Sequence, residues 1–71
     1  MTTNLRDVFK QHDLSVPEFG KWMAWPRATA HRKLDNERAW TLDEIERAAM
    51  WMRTRGVPLT DGDVRQLVRT A

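Results

Sequence analysis

From Lys21 to Lys33 the chain carries four cations, Lys21, Arg27, Arg32 and Lys33, and no carboxylate. Such a run meets anions. Its targets are phosphate oxygens and, for arginine, the O6 and N7 edge of guanine, which a guanidinium pairs bidentately. Arg27 and His31 are four residues apart, as are Ala28 and Arg32. On a helix these four share one outer face, with Thr29 and Lys33 at its other edge. A face of this kind fits the major groove of double-stranded DNA, which admits one α-helix. Arg27, Ala28, His31 and Arg32 are therefore the candidate base contacts. Ser15, Lys21, Trp22, Thr29, Lys33, Asn36 and Arg38 are the candidate phosphate contacts, which set register and affinity without reading sequence. The competing reading of the same residues is an ordinary solvated helix face.

The surrounding residues predict the elements that would hold this face. Ser15-Val16-Pro17-Glu18 has the form of a capping box, with Pro17 tolerated in the first turn. Phe19 and Met23 then point inward, and Gly20 is small where another helix would approach. Pro26 suits the start of a third helix, on which Ala30 and Leu34 point inward. Residues 15–34 thus read as two short helices about a tight turn, the shape of a helix-turn-helix.

A first helix is expected from Thr3 to His12 on the spacing of Leu5, Val8 and Phe9, with Leu14 continuing its core. Thr41-Leu42-Asp43-Glu44 opens a long helix that ends near Arg55, with Gly56 after it and Pro58 preventing continuation. Leu42, Ile45, Ala49 and Met52 form its expected inner stripe. Its acidic first turn and basic last turn match the helix dipole. Thr60 to Asp63 signals a short last helix over 61–69. No alternating β-branched run predicts a strand. The expectation is all-α: a compact bundle of about five short helices in a single domain over 1–71.

Composition limits the function classes. The chain has 71 residues, a net charge of +2 and no cysteine. A domain this small buries only ~60% of the surface its unfolded chain exposes, and no disulfide or thiolate zinc site can supplement its core. Nine of the twelve basic residues are arginine, and residues 1–40 hold seven Lys/Arg against five Asp/Glu while 41–71 hold five of each. The positive excess therefore lies around the candidate helix-turn-helix. No apolar run approaches a membrane span and no signal-peptide pattern opens the chain, so an intracellular protein is expected. There is no glycine-rich phosphate loop and no metal-ligand spacing, and His12 and His31 stand apart. No enzyme activity, cofactor, metal or small-molecule ligand is expected.

Four Trp in a short chain is a high count. Trp22 and Trp25 bracket the turn, and Trp40 staples the start of the long helix. Trp51 falls off the expected inner stripe. With Val64, Leu67 and Val68 it forms the candidate surface for a homodimer.

The run Leu14 to Leu34, then Asp35-Asn36-Glu37-Arg38 and Trp40-Thr41-Leu42-Asp43-Glu44-Ile45, resembles the Cro/repressor-type (XRE-like) helix-turn-helix proteins. The resemblance covers about residues 3 to 59. It implies a lambda-repressor-like fold with Gly20 at the helix crossing, and Arg27, Ala28, His31 and Arg32 meeting base edges. Ala24 stands where relatives usually have Gly, Pro26 where they have Ser or Thr, and Val16 where they often have Gln. What it implies of function is a phage Cro-like transcriptional repressor in the bacterial host cytoplasm, occluding a double-stranded DNA operator. Two rivals stand beside it. One is a small excisionase-type architectural DNA-binding protein. The other is a protein-interaction module that uses a Trp-rich helical surface.

Overall fold

The computed structural model describes residues 1–69. Thr70 and Ala71, which the single-domain expectation includes, lie outside the described residues. The described residues are mostly helical and form five helices: α1 (Leu5–His12), α2 (Val16–Met23), α3 (Arg27–Leu34), α4 (Leu42–Thr54) and α5 (Asp61–Gln66). Two short strands, β1 (Thr2–Thr3) and β2 (Val68–Arg69), pair antiparallel, with Thr2 opposite Arg69 and Thr3 opposite Val68.

That strand pair corrects two expectations. The first helix starts at Leu5 rather than Thr3, and the last helix stops at Gln66 instead of running to 69. A strand of two residues is too short to show alternation, so no sequence period announces it. The pair joins residues near the two ends of the described chain, and Asn4 N–H extends it by donating to Leu67 O at 2.9 Å.

Side-chain caps start three of the helices. Ser15 accepts from the Glu18 N–H. Thr41 with Glu44 and Thr60 with Asp63 form complete capping boxes. The box expected at Ser15 is only half made, because the Glu18 carboxylate turns away to pair with Arg55 at 2.8 Å.

Helix ends follow one rule. Asp13, Ala24, Asn36 and Gly56, just beyond α1 to α4, all have positive φ. In each case the next N–H reaches back to a carbonyl in the last turn: Leu14 to Phe9, Trp25 to Gly20, Glu37 to Arg32 and Val57 to Met52. This is the Schellman closure. Gly56 adopts the left-handed conformation without strain, and Asp and Asn tolerate it. Ala24, at φ 58°, has neither advantage.

The core is aromatic. Phe9 from α1, Phe19 from α2 and Trp51 from α4 pack ring to ring, with centroids 5.0 to 5.6 Å apart. Leu5, Met23, Leu34, Trp40, Ile45, Ala48, Met52, Val57 and Leu67 complete it. Trp51 is 3% exposed, so the expectation of a surface Trp there is overturned. The buried face of α4 is wider than the expected stripe. α4 contacts α2 and also α5, so it buries an arc that takes in Ala48 and Trp51. Leu42, expected inside, lies outside that arc and is 62% exposed. No described helix is long and apolar enough to cross a membrane.

Ala24→Gly tests the strained turn. It removes a left-handed Cβ penalty of roughly 1–2 kcal/mol against roughly 0.5–1 kcal/mol of added unfolded-chain entropy. The variant is expected to gain up to about 1.5 kcal/mol, read as a higher urea midpoint with an unchanged slope. A lower midpoint contradicts the strain at this turn.

Candidate nucleic-acid interface

α2 and α3 are each eight residues long and are joined through Ala24, Trp25 and Pro26. Gly20 lets them meet. A Cβ built there would lie 3.3 Å from the Trp25 carbonyl oxygen and 3.6 Å from Ala30 Cβ. Pro26 sits outside α3 as its N-cap residue, with extended backbone, and its carbonyl accepts from the Ala30 N–H at 3.0 Å.

Ala30 and Leu34 are buried, which turns the opposite side of α3 outward. Arg27, Ala28 and Arg32 are exposed on that side, and His31 and Thr29 are half-buried at its edges. Lys21 on α2 and Arg38 in the loop after α3 are exposed as well. Among the described residues none of Lys21, Arg27, Arg32 and Arg38 has a carboxylate within 4.0 Å. Lys10 on α1, Arg47 on α4 and Arg65 on α5 share that property, whereas Arg6, Lys33, Arg53 and Arg55 are paired. Ser15, at the start of α2, keeps its hydroxyl oxygen occupied by the Glu18 N–H.

Three of the expected phosphate contacts have structural partners instead. The Lys33 ammonium donates to Ala39 O at 2.7 Å and to both Glu44 carboxylate oxygens at 2.9 and 3.0 Å. It also lies 5.3 Å from the Trp25 ring centroid and 5.9 Å from that of Trp40. Its three protons are thus committed, and the aromatic faces enclose it. Asn36 bonds the Thr3 backbone reciprocally, accepting from its N–H and donating to its carbonyl, each at 2.9 Å. The side chain acts as a third strand beside β1. Trp22 is 40% exposed, but its indole N–H donates to Arg47 O at 3.0 Å.

The same contacts fix α3 at its far end. Trp40 Nε1 donates to Lys33 O at 2.7 Å, and Arg6 from α1 grips Asp35 with Nε at 2.9 Å and a terminal nitrogen at 2.6 Å. Sequence reasoning missed these partners. Asn36 and Thr3 are 33 residues apart, and Lys33 and Glu44 are 11 apart. Glu44 was legible as a cap and as dipole complement, not as the partner of a lysine.

The expected dimer surface does not form one patch. Trp51 and Leu67 are buried, while Val64 and Val68 are half-buried beside α4. Among the described residues no three of His, Asp and Glu gather as a metal site requires. Comparisons with protein-family models, with curated proteins and with solved structures found no match to this chain.

Burial alone would raise the Glu44 carboxyl. The bond from Lys33, the Thr41 N–H and the Lys33 charge outweigh it and hold the group below its ordinary value of 4.5. A depressed carboxyl stabilises the fold above its unfolded value and loses that contribution as pH falls through the folded one. Acidification below about 4.5 is therefore expected to destabilise the protein, and Glu44→Gln to flatten that part of the stability–pH curve. Lys33→Ala is expected to cost about 2 kcal/mol at neutral pH, while Arg32→Ala next to it stays within about 0.5 kcal/mol. Equal effects of the two in thermal denaturation would contradict the division between an inward and an outward cation.

Proposed function

We propose that the chain binds double-stranded DNA in a sequence-specific way, with α2 and α3 acting as a helix-turn-helix and α3 entering the major groove. The observation that carries this reading is the outer face of α3. Arg27 and Arg32 stand there exposed and without a carboxylate, while the inward lysine of the same helix is tied to Glu44. Arginine without an internal partner, on a helix too narrow to bury it, supports recognition of an external anion with a planar edge.

In this reading Arg27, His31 and Arg32 donate to base edges. Ala28 is small enough to let the helix approach a thymine methyl group. Lys21, Arg38 and the start of α2 meet phosphates along the flanking backbone. Lys33 and Asn36 leave the contact set and keep α3 in place. The resemblance to Cro-type regulators supports occlusion as the mechanism: the bound domain blocks polymerase or a competing regulator at an operator.

Selection from random duplexes followed by fluorescence anisotropy at two salt concentrations tests this. A defined motif is expected to enrich. Arg32→Ala is expected to lose preference at one base pair, worth about 1–3 kcal/mol. Lys21→Ala is expected to weaken all sequences alike and to lower the salt slope by roughly one. A protein that enriches no motif, or an Arg32→Ala variant with unchanged preference, overturns the reading.

A further inference from the structure

Between α4 and α5 runs an open groove of about 620 Å³. Buried Ile45 and Ala49 form its floor, and Val64 lines it from α5. Leu42 and Met50, at 62% and 54% exposure, lie along it on α4. Two large apolar side chains left in water beside an apolar groove are a contact surface without its partner.

The charges identify that partner. Glu46 and Asp61 line the groove together with Arg53 and Arg65, so its rim carries two charges of each sign. Such a rim favours neither nucleic acid nor a partner of uniform charge. It does complement itself. Glu46 and Arg53 are two turns apart on one row of α4, roughly 10 Å along the axis. Their midpoint falls between Ala49 and Met50. A two-fold axis there sets two α4 helices antiparallel, with Glu46 of one copy opposite Arg53 of the other, twice. The same axis places each Met50 over the small Ala49 of its mate. A parallel arrangement would set every charge against its like. Arg53 uses Nε on Leu59 O at 2.9 Å, and its nearest approach to Asp61 is 3.9 Å, so its terminal nitrogens have room for a closer carboxylate.

We propose that this groove is the interface between two copies of the chain, with α4 antiparallel to α4 and two Glu46–Arg53 pairs closing it. An isologous contact of this kind closes at two copies. None of its lining residues belongs to α3.

Sedimentation equilibrium of the full chain, from micromolar to millimolar concentration, tests it. The mass is expected to rise towards twice 8.4 kDa. Met50→Glu is expected to leave a monomer. Glu46→Arg alone weakens association by about tenfold or more by setting like charges face to face, and adding Arg53→Glu restores it. All three sites are exposed, so helix content by circular dichroism is expected to stay constant. A wild type that remains monomeric at millimolar concentration overturns the proposal. So does a dimer indifferent to Met50→Glu, or a double charge swap that keeps its helix content without recovering association.

Discussion

The Lys33 ammonium lies where the turn before α3, the loop after it and the start of α4 converge. Trp25 and Trp40 flank it, Ala39 accepts from it, and Glu44 receives it with both carboxylate oxygens. Glu44 in turn accepts from the Thr41 N–H at 2.8 Å and completes the cap of α4. One cation thus connects both flanks of α3 to the longest helix. Removing it leaves a half-buried carboxylate and a carbonyl without their donor, a larger loss than an exposed ion pair would show.

This arrangement matters because the domain is small and has no cross-link. Its core relies on large rings: Phe9, Phe19 and Trp51 tie α1, α2 and α4 together, and Trp25 bridges from Phe19 to Trp40. Stacked and edge-to-face pairs of this kind contribute about 0.5–1.5 kcal/mol beyond their buried area. The N-terminal residues are drawn in as well. Met1 O accepts from the Trp40 N–H, and β1 is held between Asn36 and β2. α3 is therefore braced from four sides: by α2 at Gly20, by α1 through Arg6, by Lys33 from within and by the N-terminal strand beyond its end. A braced helix offers its outer side chains at low ordering cost, which favours binding.

Helix starts were legible in the sequence because capping is a local event. Ser15, Thr41 and Thr60 announced three of them within a residue. Helix ends were less legible. Of the four residues that close α1 to α4 in the left-handed region, glycine occupies one position, and Asp13 and Asn36 carried no comparable signal. The outward direction of α3 was readable from Ala30 and Leu34. The separation of its cations into free and committed was not, because it depends on Glu44, Trp25 and Trp40, which tertiary structure brings together. Trp51 was misplaced for a related reason. Periodicity finds the face that one neighbour covers, and α4 has neighbours on two sides.

The exposed arginine face of α3 is the surface proposed to meet DNA. Amide chemical-shift mapping of the labelled protein, titrated with a duplex chosen by selection, tests it most directly. The largest perturbations are expected from Arg27 to Arg32, at the start of α2 and near Arg38, with α4 residues 46–53 unmoved. Perturbations centred on the α4–α5 groove, or none at low salt, would contradict it.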